Sequence, residues 1–508
     1  MLEESTMKIS RHSAALMSRF VTVLAIVAAG PQCWAVFVYF DGSTSTDFHV
    51  ATNWAPENAP GTNLVDIYSI DDGLSSTFFG GNTTIWGLRV GSVAKEHQFG
   101  DTHFGRLTMT DGSLEVIGSN VLVVGREREN AFFGGDYNKN SVVDAADYVV
   151  WRKTLGSMSV LNADGDGNGT IQQADYDFWK ARFGNVVKGG ELILNGTSTL
   201  KANGALIGER TLGLLEIGPD AAVDIRIWDT TVIPNQFGGT EDMRVGGYGP
   251  AYDDFGGEPG LDGRGLVDLQ GTLNAKVLYL SEHGGKGELR VSGGTVNLNG
   301  ELIMDFCGNC VTDPGLLSQR SAKVSIIGSS GTFNVGLDPD PLVVDPMPPN
   351  RDLLAASPTA TFSFTADVGG VTPITIVENV DEPSGTAEIE GARLELNLDA
   401  YPFTPTSTLT LIDAPPGNLL GEFDPVWTFL GTTTADVNYD PFNGNVYLDN
   451  FQSGAGAGTG PLTGSTVPEP TGLIMGTLAL GLLLLFSNSR AKRQTACLWG
   501  NPWLKVRA

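Results

Sequence analysis

Basic residues are scarce in this chain of 508 residues. Lysine and arginine together number 31, against 58 aspartates and glutamates, and the formal net charge is -27. Nucleic acids and anionic lipid surfaces attract basic proteins, so this balance argues against both as partners. It suits a soluble protein that works in a calcium-rich exterior.

Catalytic motifs are missing as well. Residues 36–466 contain no G-x-S-x-G nucleophile elbow, no phosphate-binding glycine loop with lysine and no H-E-x-x-H helix. In an acidic, turn-rich chain, isolated carboxylates more often form solvated turns than catalytic sites. The candidate carboxylates for a polysaccharide-cleaving site are Asp224, Asp229, Asp253 and Asp254.

Helical periodicity is nearly absent outside one segment. The chain alternates short β-type runs with turns of glycine, asparagine and aspartate. One pattern of glycine and apolar positions starts at Gly105 and Gly287, and looser copies start at Gly190, Gly213 and Gly265. Such repetition predicts the rungs of a β-solenoid, in which each rung buries its apolar side chains on its neighbours. A right-handed parallel β-helix is the preferred fold, and a row of β-sandwiches is the competing one.

Composition changes again towards the C-terminus. Residues 337–358 are rich in proline and aspartate and predict an extended linker. Strands of a different pattern at 359–452 predict a compact antiparallel β domain. A second linker of glycine, alanine, serine and threonine follows at 453–466.

Two twelve-residue stretches, Asp136 to Asp147 and Asp164 to Asp175, carry oxygen-bearing side chains at loop positions 1, 3, 5, 9 and 12. An EF-hand-type loop wraps one calcium ion with this spacing, because a hard cation prefers oxygen ligands. The predicted ligands of the first ion are Asp136, Asn138, Asn140, the Val142 carbonyl, Asp144 and Asp147. Those of the second ion are Asp164, Asp166, Asn168, the Thr170 carbonyl, Gln172 and Asp175.

The residues that follow each loop repeat as well. Their positions share one face of a helix, and a glycine suited to a left-handed cap comes after them. The repeated residues are Tyr148, Trp151 and Gly156, which return 28 positions later (176 − 148) as Tyr176, Trp179 and Gly184. A segment of about fifty residues has little core of its own, so calcium should contribute to its folding free energy.

A calcium loop with one trailing helix, duplicated in tandem, resembles the dockerin type I module over roughly residues 133–187. The resemblance implies a cohesin-like protein as docking partner. Two positions depart from the family: Ser141 stands where loop position 6 usually has glycine, and Gln172 replaces a carboxylate or asparagine at position 9. Rung-like segments lie on both sides, which predicts an insertion into a loop of the solenoid. The rungs themselves resemble the β-helical repeats of autotransporter-like surface proteins.

Both ends of the chain predict export. Lys8, Arg11 and Arg19 precede an apolar run, and small residues ending at Ala35 complete a secretory signal peptide over residues 1–35. Residues 467–493 join a Val-Pro-Glu-Pro segment, an apolar stretch from Thr471 to Phe486 and a basic cluster. That order resembles the PEP-CTERM sorting signal, which implies processing by an exosortase at the surface of bacteria that often make exopolysaccharide. The apolar stretch is a transmembrane candidate, and the basic cluster should stay in the cytoplasm.

Only two of the four cysteines, Cys307 and Cys310, fall in the predicted exported part. In an exported protein this C-G-N-C pair predicts a local disulfide, with a redox role or free thiols as alternatives. Zinc is disfavoured because two further ligands would be needed and His283 is the only histidine nearby.

The predicted order is a mainly β chain with one small helical insertion. Its parts are a signal peptide (1–35), the start of the solenoid (36–132), the calcium module (133–187), the rest of the solenoid (188–336), a linker (337–358), an antiparallel β domain (359–452), a linker (453–466), the sorting signal (467–493) and a cytoplasmic tail (494–508).

The favoured function is that of an exported, calcium-binding, non-catalytic protein of the cell surface or extracellular matrix. Its predicted partners are a cohesin-like protein or exopolysaccharide, the export and sorting machinery, and the membrane through the C-terminal segment. One alternative is a secreted polysaccharide-degrading enzyme, either a β-helical lyase or a glycoside hydrolase. The other is a carbohydrate-binding protein without turnover.

Overall fold

The computed structural model describes residues 37–62, 66–71, 73–92, 103–126, 135–138, 142–158, 163–165, 170–184, 188–225, 242–247, 263–281, 285–305, 321–336, 352–377, 386–404 and 406–454. The predicted signal peptide, sorting signal and tail lie outside these residues, as do Cys307 and Cys310. No helix in the described stretches is both long enough and apolar enough to span a membrane. The predicted transmembrane stretch from Thr471 to Phe486 is outside them too.

The strands wind through three parallel sheets, here named A, B and C. Three long strands bend at corners and serve more than one sheet, namely β4 (Leu74–Ile85), β6 (His103–Arg126) and β8 (Thr199–Ile207). Sheet A consists of β1 (Phe37–Phe40), β3 (Ile67–Ile70), β5 (Gly87–Ser92), the ends of β6 and β8, β11 (Asp242–Val245), β14 (Val277–Leu280), β17 (Leu302–Met304), β20 (Asp352–Ala356), β23 (Thr386–Glu388) and β26 (Leu419–Leu420).

Sheets B and C complete each rung. Sheet B consists of the starts of β4 and β6, then β7 (Lys188–Leu194), β9 (Leu212–Ile217), β12 (Arg264–Leu269), β15 (Lys286–Val291), β18 (Ser321–Ile327), β21 (Thr361–Thr365), β24 (Arg393–Asn397) and β27 (Thr428–Phe429). Sheet C consists of the end of β4, the middle of β6, the start of β8, then β10 (Ala222–Ile225), β13 (Thr272–Ala275), β16 (Thr295–Leu298), β19 (Thr332–Val335), β22 (Ile374–Ile376) and β25 (Leu409–Asp413).

This arrangement is a β-solenoid, as the repeated glycine pattern predicted. Along β12, partly exposed and buried residues alternate, so every second side chain points inward. Stacked rungs place these inward side chains on one another in columns. One such column in sheet A is fully buried from end to end and runs through Leu88, Leu122, Met243, Leu278 and Leu302. The competing row of antiparallel sandwiches does not fit this parallel pairing.

The glycines that marked the sequence repeat form a column of their own. Gly105 pairs with Gly190, and the register continues through Gly213 and Gly265 to Gly287. A Cβ atom at Gly105 would lie 1.9 Å from a carbonyl oxygen of the neighbouring corner. The backbone therefore passes too closely at this position for any larger residue.

The predicted antiparallel domain at 359–452 is mostly wrong. β20 lies inside the predicted linker and pairs in parallel with β17, and β21, β22 and β24 continue sheets B and C in parallel. Among the strands that the structure describes in this region, only the last two are antiparallel: β29 (Asn445–Ser453) pairs with β25, and β28 (Thr433–Asp440) pairs with β29. The solenoid thus runs on through β27, because alternating strands look alike in sequence whichever way they pair.

Short antiparallel elements lie at both ends of the described solenoid. β2 (Trp54–Ala55) pairs with β1 after a 3₁₀ turn at Ala51–Asn53, while the hairpin of β28 and β29 covers the edge of β25. Covering an edge removes a row of backbone groups on which another chain could pair.

Candidate functional site

The two predicted calcium loops are each followed by a helix, as the repeat predicted. Helix α1 spans Ala145–Thr154 and helix α2 spans Gln173–Arg182. Gly156 and Gly184 follow them with φ of 85° and 86°, the left-handed conformation that ends a helix.

The last aspartate of each loop is also the residue that starts the helix. Asp147 Oδ2 accepts the backbone N–H of Asp144 at 2.7 Å, and Asp175 Oδ2 accepts that of Gln172 at 2.7 Å. These are capping contacts, in which a side chain satisfies a backbone donor that the helix leaves unpaired. Loop positions 9 and 12 are therefore held by the helix start.

The other oxygen of the same aspartates closes each loop on itself. Asp147 Oδ1 accepts the N–H of Asn138 at 2.8 Å, and Asp175 Oδ1 accepts the N–H of Gly165 at 2.7 Å. Both carboxylates are fully buried, as is that of Asp136 at the start of the first loop. Asp164, which starts the second loop, is 6% exposed.

Burial raises the pKa of Asp147, and the charge of Asp144 adds to the shift, while backbone hydrogen bonds from Asn138, Asp144 and Tyr137 oppose it. A buried carboxylate in a small module favours its neutral form unless a cation lies nearby. The two oxygens of a carboxylate have four lone pairs together, so the three backbone hydrogen bonds to Asp147 leave one lone pair for a metal ion. The donor chemistry of the loops therefore fits calcium.

Part of each predicted ligand set lies outside the described residues, namely Asn140, Asp166 and Asn168. In the portion that the structure describes, no three histidine, cysteine, aspartate or glutamate side chains are grouped as a metal site requires. The carbonyl positions Val142 and Thr170 lie in described parts of the loops. Binding of two calcium ions stays a prediction.

The two repeats exchange hydrogen bonds through their tryptophans. Trp151 Nε1 on α1 donates to the carbonyl oxygen of Gln172 at 2.9 Å. Trp179 Nε1 on α2 donates to the carbonyl oxygen of Asp144 at 3.0 Å. Both acceptors stand at loop position 9 of the opposite repeat, so each helix fixes the other repeat's loop.

The helix ends make the same kind of exchange. Gly156 N donates to the Ile171 carbonyl at 2.8 Å, and Gly184 N donates to the Val143 carbonyl at 2.7 Å. Val143 and Ile171 stand at loop position 8 of their repeats and are almost completely buried. The two loops therefore form one unit with approximate two-fold symmetry.

This unit has its own hydrophobic core, separate from that of the solenoid. Its aromatic stripes pack on each other, with 5.1 Å between the ring centroids of Trp151 and Tyr176 and 5.6 Å between those of Tyr148 and Trp179. The buried core residues are Tyr137, Val143, Trp151, Ala163, Ile171 and Trp179. A core of this size is small for an independent domain, which is why folding should depend on a bound ion.

The unit also keeps apolar side chains on its surface. Met158 is 74% exposed and Phe183 is 54% exposed, and Val149 and Leu155 are nearly half exposed. Val149 lies on α1, and Leu155, Met158 and Phe183 follow the ends of the two helices.

The unit lies in the connection between β6 and β7, at the corner where the chain passes from sheet A to sheet B. In the next rung, residues 208–211 alone make the same passage, between β8 and β9. The longest connections between strands also leave or enter sheet A, at 127–187, 226–241, 246–263, 305–320 and 336–351.

The sequence did not single out a cluster of arginines at these corners. Glu209, 7% exposed, lies in the 208–211 turn with its Oε2 2.9 Å from Arg126 Nε. Burial raises the pKa of Glu209, against the opposing charges of Arg126, Arg210, Arg244 and Arg89. No spacing rule could have shown this convergence, because only the strand register brings these residues together.

Of the carboxylates considered for catalysis, only Asp224 lies among the described residues. It stands in β10 on sheet C, in register with Lys201 and Asn274. Asp229, Asp253 and Asp254 are outside the described ranges.

Neither a family model, nor a curated protein, nor a solved structure matches this chain.

Proposed function

We propose that this chain is an exported, non-catalytic scaffold of the cell surface or extracellular matrix, with a dockerin-like module that binds two calcium ions and docks a cohesin-like protein. The observation that carries the proposal is the reciprocal exchange between Trp151 and Trp179, each donating to the opposite loop at position 9. Such an exchange makes each loop depend on the other. Calcium at one loop would then help to order both loops and the apolar surface beside them.

Calcium binding is proposed from the oxygen chemistry of the loops. Asp136, Asp147 and Asp175 are fully buried, which is costly for carboxylates without a cation or a full set of donors. The ion would supply that positive charge. The resulting link between folding and calcium would restrict docking to the calcium-rich exterior.

Export and retention rest on the two ends of the sequence. The N-terminal signal would direct secretion, and the C-terminal signal would hold the protein at the envelope through a transient or permanent anchor. Mass spectrometry of the mature protein tests this proposal: the chain should begin at residue 36 and end near residue 467.

The calcium proposal is tested on residues 36–466 by calorimetric titration. Two ions should bind, and Asp136→Ala and Asp164→Ala should each remove one of them. Asp177→Ala is the matched control, because this exposed aspartate lies on α2 outside both loops and should leave two ions bound. Two ions bound by both loop variants, or none bound by the unaltered chain at millimolar calcium, would refute the proposal.

Incubating the protein with a panel of acidic and neutral polysaccharides distinguishes a scaffold from a polysaccharide-degrading enzyme. No new polysaccharide chain ends should appear in the presence of calcium, and circular dichroism should verify that the β fold of the protein is intact. New chain ends that chelation abolishes would favour a lyase or hydrolase instead.

A further inference from the structure

The outer face of sheet C carries a ladder of asparagine side chains. Asn274 on β13, Asn297 on β16 and Asn334 on β19 stand in register on three successive rungs. Asn297 Nδ2 donates to Asn274 Oδ1 at 3.0 Å, and Asn334 Nδ2 donates to Asn297 Oδ1 at 3.0 Å. Such a ladder stabilises stacked strands. It also holds each amide group in a fixed orientation.

A row of threonines runs beside this ladder. Thr272, Thr295 and Thr332 start the same three strands and stand in register with one another, two positions before the asparagines. On each strand the threonine and the asparagine are at least partly exposed, whereas the two residues that alternate with them are buried. The amide–hydroxyl face is defined as these six residues: Thr272, Asn274, Thr295, Asn297, Thr332 and Asn334.

The amide–hydroxyl face keeps hydrogen-bonding groups that the protein itself does not use. An asparagine amide has two N–H donors and an oxygen with two lone pairs. Asn297, in the middle of the ladder, uses one donor and one lone pair and therefore retains one of each. The hydroxyl groups of the three threonines make no hydrogen bond to another residue that the structure describes. Donors and acceptors thus recur on every rung, about 4.8 Å apart.

The amide–hydroxyl face is also uncharged, unlike its surroundings. Lys201 and Asp224 precede Asn274 in the same column of sheet C. On sheet B, the outer face of β15 carries Glu288 and Arg290. In a chain with a net charge of -27, an acidic ligand would be repelled by the protein as a whole. The uncharged face therefore favours a neutral ligand.

The size of the face argues against a second copy of this chain as the occupant. It covers three strands of four residues each. With strands about 4.8 Å apart and about 3.3 Å per residue, its area is roughly 200 Å². A stable interface between two proteins buries about 800 Å² on each partner. A face this narrow and regular is suited instead to one chain of a linear polymer.

We propose that the amide–hydroxyl face binds one chain of a neutral, extended polysaccharide that lies along the solenoid axis. Sugar hydroxyl groups both donate and accept hydrogen bonds, as the free amide and hydroxyl groups of the face do. An extended chain of β-linked sugars advances by about one rung spacing per sugar residue, so successive sugars meet equivalent groups. The ladder fixes the amides before binding, which lowers the entropy cost of ordering them. This site goes beyond the proposed docking function and does not involve the calcium loops.

The test is a calorimetric titration with cellohexaose, a neutral β-linked glucan. It uses residues 36–466, which include every residue that the structure describes. Cellohexaose should bind, and cellobiose should bind at least tenfold more weakly because it is shorter than the face. Cellohexaose oxidised to a carboxylate at every C6 is the matched acidic ligand and should bind at least fivefold more weakly. A tenfold increase in salt should change the affinity for cellohexaose less than twofold, since no charge is neutralised.

Thr272→Val and Thr295→Val remove one hydroxyl group each and should each weaken binding about fivefold, the effect of one lost hydrogen bond. Valine is favoured in strands, so both variants should fold. Thr361→Val is the matched control, because Thr361 starts β21 on sheet B and is also partly exposed. It should change the affinity less than twofold. Asn297→Ala breaks the ladder on both sides and should weaken binding more than either valine variant.

Stability and binding are separated by far-ultraviolet circular dichroism and urea denaturation of the same variants. Thr295→Val should lose affinity without a loss of stability, which a purely structural role of the row would not produce. Repeating the titration in chelator should leave the affinity for cellohexaose unchanged, whatever the outcome for the calcium loops. No binding of cellohexaose by the folded protein, equal binding of the oxidised ligand, or equal losses in Thr295→Val and Thr361→Val would each overturn the proposal.

Discussion

Gly287→Ala should be among the most damaging small substitutions in the solenoid. A Cβ atom there would lie 2.2 Å from the Val245 carbonyl oxygen and 2.7 Å from the Ser281 nitrogen. These two atoms are hydrogen-bonded to each other at 2.8 Å across a corner of sheet A. Both are backbone atoms within stacked rungs, so neither can move without disturbing its neighbours.

The expected cost can be assembled from two effects. Forcing an extra methyl group into a packed interior costs about 1–3 kcal/mol. Displacing the corner by about 1 Å also breaks one or two backbone hydrogen bonds, worth about 1 kcal/mol each. Gly287→Ala should therefore lower the free energy of unfolding by about 2–5 kcal/mol.

Gly417→Ala is the matched control for this substitution. Gly417 has φ of +82° and no atom within 4 Å of its Cβ position, so alanine there suffers only left-handed backbone strain, about 1 kcal/mol. Urea denaturation followed by far-ultraviolet circular dichroism measures both variants. If Gly287→Ala is no more destabilising than Gly417→Ala, the close approach of the rungs is not what requires glycine.

Three further outcomes are expected. Trp179→Phe removes the donor to the Asp144 carbonyl and should weaken calcium binding at the first loop about fivefold, corresponding to about 1 kcal/mol; an unchanged affinity in calorimetry would contradict this. Burial raises the pKa of Glu209 in the folded protein above its ordinary value of 4.5, so the folded protein binds more protons than the unfolded chain. The stability of the protein should therefore fall as the pH rises from 4.5 through the raised pKa. Glu209→Gln should remove this pH dependence from urea midpoints, and an unchanged profile would refute the assignment. Calcium should slow amide hydrogen exchange in β7, and Asp136→Ala should reduce the effect.

The repeated glycines of the solenoid could be predicted from sequence because their cause is local to each rung. Every rung brings its backbone against the neighbouring corner at the same point, so Gly105, Gly213 and Gly287 recur within the same apolar pattern. The calcium loops could be predicted for a similar reason. The oxygen spacing of each loop and the tryptophan four positions after its last ligand are confined to one short segment, and the helices lie where that spacing placed them.

Features that depend on distant strand pairing could not be predicted in this way. β21 shows alternation that fits a parallel or an antiparallel partner equally well, and only its register with β18 and β24 shows the parallel case. Arg89 and Arg244 are 155 positions apart (244 − 89), and nothing near either residue in sequence indicates that they share a face.

The expected effect of calcium on β7 follows from where the module is inserted. The connection from β6 to β7 spans 61 residues (127–187), whereas the next passage between the same sheets takes four (208–211). Loop-closure entropy grows with the logarithm of length, so the longer connection costs about 2.4 kcal/mol more if it is unfolded. A folded module shortens the flexible part of this connection. Calcium that folds the module therefore recovers part of the loop-closure entropy. The gain should reach β7, whose register with β6 closes the rung, and should spare β21, which lies several rungs away. Equal protection of β7 with and without calcium would refute this coupling between calcium binding and closure of the rung.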